Sequence, residues 1–80
     1  MKHFVATFHT HLAALLTHRR LGQAGITSRM APVPRRISSS CGTCVFYDAE
    51  SPCMEQMDRD TEAIYELQKD NPVLIAEFDE

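Results

Sequence analysis

Carboxylates are missing from more than half of this 80-residue sequence. Residues 1–47 contain no Asp or Glu and carry six Lys and Arg, whereas residues 48–80 hold all eleven acids against two bases. The formal net charge of −3 is therefore the sum of a basic half at +6 and an acidic half at 2 − 11 = −9. Such a division predicts either two parts with different tasks or a self-complementary pair of surfaces.

Long apolar runs and the common catalytic motifs are absent as well. No apolar stretch approaches the roughly 20 residues that a membrane-spanning helix needs. There is no phosphate-loop or HExxH pattern and no recognisable Ser-His-Asp arrangement. A chain of this length forms one small domain at most, with a marginal core of its own. We therefore expect a small protein that is not an enzyme.

The first 21 residues predict a basic amphipathic helix over about 3–21. Four apolar residues recur at three- and four-residue intervals and so share one helical face: Phe4, Phe8, Leu12 and Leu15. Arg19 and Arg20 fall in the last turn, where cations complement the helix dipole, and Gly22 follows as a C-cap. The apolar face is a candidate surface for a partner protein, or for a homodimer formed through this helix.

Residues 22–40 are rich in Gly, Pro, Ser and Arg and predict a loose arm or linker. A less favoured alternative is an arginine arm that binds nucleic acid, because no reading motif follows and the acidic half would repel phosphate. Five arginines would carry that role: Arg19, Arg20, Arg29, Arg35 and Arg36. The acid-free start also fits an organellar presequence, and Met30 is an alternative start of translation.

The three cysteines fall within thirteen residues, CGTCVFYDAESPC, at positions 41, 44 and 53. Cys41 and Cys44 on a tight turn, with Cys53 at a helix start, predict a knuckle that binds zinc through thiolates. The fourth ligand is not evident, because no His follows His18. Reduced thiols that pack as small apolar side chains are an equally supported alternative. A disulfide or redox pair is less favoured, given the odd cysteine count and the lack of a secretory signal.

The acidic half predicts a second helix over about 52–69, with Ser51 as its cap and Pro52 in its first position. Three acids on its wet face are candidate contacts for a basic partner protein: Asp58, Glu62 and Glu66. The tail, residues 72–80, fits a short helix or a strand, and the Asn-Pro start favours the helix.

These patterns together predict a mainly α-helical protein of two or three helices, with a cysteine knuckle and a minor β element at VFY. Its parts would be residues 1–21, 22–40 and 41–80. The function we expect is a cytoplasmic protein-interaction or regulatory protein whose only cofactor is zinc. The alternatives are an imported metal- or redox-active carrier working in an organelle matrix, and the arginine-arm nucleic-acid binder.

Overall fold

Within the described residues, the chain forms one antiparallel sheet with one α-helix packed on one face. The computed structural model describes residues 1–78. Its elements are β1 (Lys2–Phe8), α1 (His11–Gln23), β2 (Ser28–Pro32), β3 (Thr43–Ala49), a 3-10 helix (Met54–Gln56), β4 (Thr61–Gln68) and β5 (Asn71–Glu77). The strand order is β2-β3-β1-β4-β5, and every neighbouring pair is antiparallel. The prediction of a mainly helical fold is therefore wrong.

The central strand β1 replaces the first half of the predicted helix. Phe4, Ala6 and Phe8 face α1, whereas Val5 and Thr7 face the opposite side of the sheet, and all five are buried. A strand covered on both faces shows no alternation of polar and apolar residues. A spacing of four also fits one face of a strand as well as one face of a helix. The spacing of the apolar residues in β1 therefore fits a strand and a helix equally well.

Helix α1 occupies only the second half of the predicted helix. The Thr10 side chain caps it, because the Ala13 amide donates to Thr10 Oγ1 at 3.0 Å. The helix presses Ala13, Ala14 and Leu21 into the core against the sheet. Phe4 and Phe8 lie in the sheet core, so the four apolar residues predicted to share one helical face do not do so.

The second predicted helix, over about 52–69, is also wrong. Its start is the 3-10 helix, and residues 61–68 form strand β4 instead. Lys69 and Asp70 both have positive φ, 53° and 68°, which closes a two-residue hairpin into β5. Lys-Asp is a rare pair for such a turn, so the sequence did not signal it. The short helix predicted over 72–80 is a strand as far as residue 77, and residues 79–80 lie outside the described residues.

The predicted arm contains strand β2 and then covers the sheet face opposite α1. Ile37 is buried there against Val5 and Cys44. The loop returns to the sheet where the Val33 amide donates to the Gly42 carbonyl at 3.1 Å. Both faces of β1 are thus covered, one by α1 and the other by this loop.

The basic and acidic halves meet within one chain. The Arg20 guanidinium lies 3.7 Å from the Asp58 carboxylate, and the His3 imidazole lies 2.6 Å from Asp48. Each pair joins one residue of the acid-free half to one residue of the acidic half. The basic and the acidic half of the sequence thus contact each other within the folded chain through these two pairs. No helix within residues 1–78 is both long and apolar enough to cross a membrane.

Thr7 carries the one buried side-chain oxygen or nitrogen in residues 1–78 that has no hydrogen-bond partner. Since burying an unpaired hydroxyl opposes folding by about 1–3 kcal/mol, we expect Thr7→Val to stabilise the protein by about 1 kcal/mol. The free energy of unfolding in urea measures this directly.

Thr17 supplies the matched control for that substitution. It is equally buried, but its hydroxyl accepts the Asp58 amide at 3.0 Å. Thr17→Val should therefore destabilise the fold by about 1 kcal/mol or more, because it leaves that amide unpaired. A loss of stability in both variants would contradict the interpretation of Thr7.

Candidate functional site

The polar side chains and the thiol of the candidate site lie at the end of the sheet where β1 ends and α1 begins. A loop of residues 38–42, Ser-Ser-Ser-Cys-Gly, crosses this end, and we call it the Cys41 loop. The Ser39 hydroxyl donates to the Phe8 carbonyl at 3.2 Å, which ties the loop to the last residue of β1. Gly42 has φ +75°, a left-handed conformation in which a side chain would be strained.

Cys41 is the most accessible of the three thiols. Its side chain is half-buried against the helix-side core, and its Sγ donates to the Thr43 carbonyl at 3.4 Å. The first residue of α1 is close by, since the His11 Nδ1 lies 3.3 Å from Thr43 Oγ1. The thiol is therefore bonded to Thr43, the residue whose side chain contacts the start of α1.

Cys44 and Cys53 are buried in other parts of the fold. Cys44 is fully buried on the sheet face opposite α1, and its Sγ lies 3.7 Å from the Pro32 carbonyl. Burial raises the pKa of the Cys44 thiol to about 11, although Arg29 partly opposes that rise. Cys53 is buried after the far end of β3, with φ 56° and its Sγ 3.3 Å from the Ser51 carbonyl.

Strand β3 places Cys53 far from the other two residues that were predicted to form one knuckle. Its seven residues extend over about 20 Å between Cys41 and Cys53, while Cys44 turns to the face opposite α1. No group of three or more His, Cys, Asp and Glu side chains within the described residues is arranged to hold a metal ion. Zinc binding stays a prediction that the placement of these residues does not support.

Glu62 reaches the Cys41 loop from β4. Its carboxylate accepts the Ser40 amide at 3.1 Å and the Ser40 hydroxyl at 2.5 Å, and the His9 Nδ1 lies 3.4 Å away. Burial alone would raise the pKa of Glu62, but the hydrogen bonds from Ser40 and Ser39 and the His9 charge outweigh it and lower that pKa. Ionised Glu62 is thus held by the loop.

The remaining residues predicted to contact a partner are dispersed. Leu12 is 61% exposed on α1, whereas Leu15 is half-buried on the same helix. Asp58 is held inside the fold by the Asp60 amide and by Arg20. Glu66 is half-buried on β4. Neither the serines nor His9 were among the predicted site residues, although three consecutive serines before a cysteine are the signal that marks this loop.

A concavity of about 310 Å³ borders the Cys41 loop on its sheet side. Hydroxyls and carboxylates dominate its lining, which comprises Thr7, Ser38, Ser39, Ser40, Glu62, Ala63, Tyr65 and Glu77. No Lys or Arg is among them. The space is sufficient for a small polar group next to the loop.

The three environments predict a graded reactivity of the thiols. We expect iodoacetamide at pH 8 to modify Cys41 at least about tenfold faster than Cys44, because the buried Cys44 remains almost wholly protonated at that pH. Cys53, which is 6% exposed, should also react slowly. Peptide mass mapping of time points in native buffer and in urea measures the order. Equal labelling of all three in the folded protein would contradict it.

A family model covers nearly the whole of this fold, including the Cys41 loop. The model, described as "Putative Se/S carrier protein-like", matches residues 3–78. The chain belongs to this family.

A curated relative also matches, over a shorter part. The uncharacterized protein YtiA of Escherichia coli (strain K12) is 35% identical over 46 residues, which are 58% of this chain and 54% of that protein. The aligned part thus spans about half of the relative's length. No solved structure matches the chain.

Proposed function

We propose that this protein carries a sulfur or selenium atom bound to the Cys41 sulfur. The observation on which the proposal depends is the contrast among the thiols. Cys41 is half-buried on a glycine-containing loop, whereas Cys44 and Cys53 are buried elsewhere. Membership of the Se/S carrier-like family supports this chemistry, since a carrier needs one thiol that donor and acceptor can both reach.

The transfer that we propose is a displacement at a divalent chalcogen. The Cys41 thiolate attacks the outer sulfur of a donor persulfide, R–S–SH, so that a new S–S bond forms as the donor's S–S bond breaks. The products are Cys41–S–SH and the donor thiolate R–S⁻, and atoms, charge and electrons balance without another oxidant. A donor R–S–SeH delivers selenium in the same way, and an acceptor thiolate reverses the step.

The surroundings of Cys41 suit this exchange. Gly42 leaves one side of the cysteine without a side chain, so that a second sulfur compound can approach. Cys41 itself is only half-buried, so its sulfur is accessible to a donor and to an acceptor.

The role that we infer is stoichiometric rather than enzymatic, because each chain accepts one atom and passes it on. A carrier of this kind needs a donor and an acceptor, which keeps the predicted binding of another protein within the proposal. Leu12, 61% exposed on α1, is a candidate contact. Zinc binding at Cys41 stays an alternative use of the same group, since a thiolate is both the nucleophile and the metal ligand.

Intact-mass spectrometry after incubation with a persulfide donor, such as glutathione persulfide, tests the proposal. We expect a product heavier by one sulfur atom, which a reductant reverses and which peptide mapping assigns to Cys41. A disulfide with the donor alone, or an unchanged mass, would count against the carrier role.

A further inference from the structure

Ser40 and Glu62 form the tightest side-chain contact in the Cys41 loop. Both hydrogen-bond donors of Ser40, the amide and the hydroxyl, point to the same carboxylate, one to each oxygen, at 3.1 and 2.5 Å. Hydrogen bonds to an ionised acceptor are about twice as strong as those between neutral groups. The residue directly before Cys41 is thus attached to β4 through two such bonds.

The backbone of Glu62 is held in a conformation that directs its side chain to Ser40. Thr7 is opposite Ala63, whereas Phe8 is opposite Thr61, so Glu62 is the extra residue of a β-bulge in β4. Its carbonyl accepts the Phe78 amide at 2.9 Å. Bulges re-aim a side chain away from the regular alternation of a strand. The bulge directs this carboxylate toward the loop rather than along the sheet face.

His9 contacts the same carboxylate from the segment between β1 and α1. Its Nδ1 lies 3.4 Å from Glu62 Oε2, and its amide donates to the Asp60 carbonyl at 2.9 Å. The segment between β1 and α1 and the Cys41 loop are therefore attached to the same end of β4. Glu77 and Tyr65 are the other titratable groups that line the neighbouring concavity.

We propose that Glu62 is the positioning residue of the Cys41 site: by holding both donors of Ser40, its carboxylate fixes the loop conformation that presents the thiol. The inference builds on the proposed carrier function. Ser40 is fixed on one side of Cys41, and Gly42, at φ +75°, determines the direction of the chain on the other. With both neighbours fixed, the thiol is held where its Sγ donates to the Thr43 carbonyl and packs against the helix-side core.

The hydrogen bonds between Glu62 and Ser40 also make the Cys41 loop sensitive to acidic pH. Because the folded pKa of Glu62 lies below its ordinary value, the stabilisation is complete above that ordinary value. It is lost as the pH falls through the lowered pKa, when the protonated carboxyl no longer accepts both bonds as an anion. We therefore expect the Cys41 loop to loosen at acidic pH before the sheet unfolds.

The test compares Glu62→Ala, Glu62→Gln and Glu62→Asp with a control on the same strand, Glu66→Gln. Amide hydrogen exchange should show the Ser40 amide exchanging at least about tenfold faster in Glu62→Ala and Glu62→Asp than in the control, while the amides of β1 stay protected. Glu62→Gln keeps an acceptor oxygen and the length of the side chain but not the charge, so it should fall between them.

The second readout is the rate at which 4,4′-dithiodipyridine modifies Cys41 between pH 3 and pH 8, divided at each pH by its rate with glutathione so that the protonation of the reagent itself cancels. The wild-type profile should contain an inflection at the acidic end that the Gln variant lacks, which a merely structural glutamate would not produce. Ser40 exchange equal to that of the control in folded Glu62→Ala, or an inflection that persists in Glu62→Gln, would overturn the proposal.

These outcomes are independent of the carrier chemistry. If the wild type takes up no sulfur but the exchange and pH results are as expected, Glu62 still positions Cys41 and only the proposed function fails. If sulfur is loaded equally well by all variants with unchanged exchange, the carrier function stands and the positioning role is wrong.

Discussion

Cys41→Ser should abolish the uptake of sulfur or selenium, with no residual loading above that of an unrelated thiol-free protein. The substitution keeps the size and the hydrogen-bond donor of the side chain but removes the nucleophile, since a serine hydroxyl is not ionised at neutral pH. Cys41 is half-buried and its Sγ donates to the Thr43 carbonyl, a bond that a serine hydroxyl can also donate, so the fold should be almost unaffected. Intact-mass spectrometry after exposure to glutathione persulfide measures the uptake.

Cys53→Ala is the matched control for this result. Cys53 is buried at the opposite end of β3 and should not take part in the exchange. We expect this variant to load as the wild type does, with some loss of stability because a buried apolar side chain is truncated. If Cys53→Ala were the variant that fails to load while Cys41→Ser loads normally, the assignment of the site would be wrong.

Local signals in the sequence drew attention to the segment that holds the candidate site, although the fold was predicted wrongly. Cys41 and Gly42 stand out in that segment because Cys and Gly have properties that do not depend on neighbouring elements. What they could not show is that β3 runs between Cys41 and Cys53 and separates them. The distance between two such residues depends on whether the segment that joins them is a strand or a helix. The spacing of the apolar residues, from which strands and helices are predicted, was misread.

The misreading has one physical cause in β1 and another in β4. Strand β1 is buried on both faces, so its run HFVATF has no alternation, and its two phenylalanines fit a helical spacing equally well. In β4 the bulge at Glu62 and the Lys-Asp turn break the expected strand and hairpin signals. The partner of Glu62 is also distant in sequence, since Ser40 lies 22 residues away.

Phe4→Ala should destabilise the fold by about 3–5 kcal/mol, a large part of the roughly 5–15 kcal/mol that holds an ordinary domain together. Phe4 is 2% exposed in the middle of the helix-side core. Its ring stacks on Tyr47 with centroids 5.3 Å apart and an interplanar angle of 24°. The substitution leaves a cavity next to the central strand and removes an aromatic pair that contributes about 0.5–1.5 kcal/mol beyond its buried area.

Leu12→Ala separates this expectation from the helical interpretation of the sequence. If Phe4 and Leu12 shared the outer face of a partner-binding helix, both substitutions would leave the stability of the isolated chain nearly unchanged. The fold described here places Leu12 on the surface of α1 at 61% exposure, so its replacement should change the free energy of unfolding by no more than about 0.5 kcal/mol. Urea unfolding of the two variants decides between them: a midpoint that falls on the order of 2 M for Phe4→Ala alone is the signature of a buried central strand.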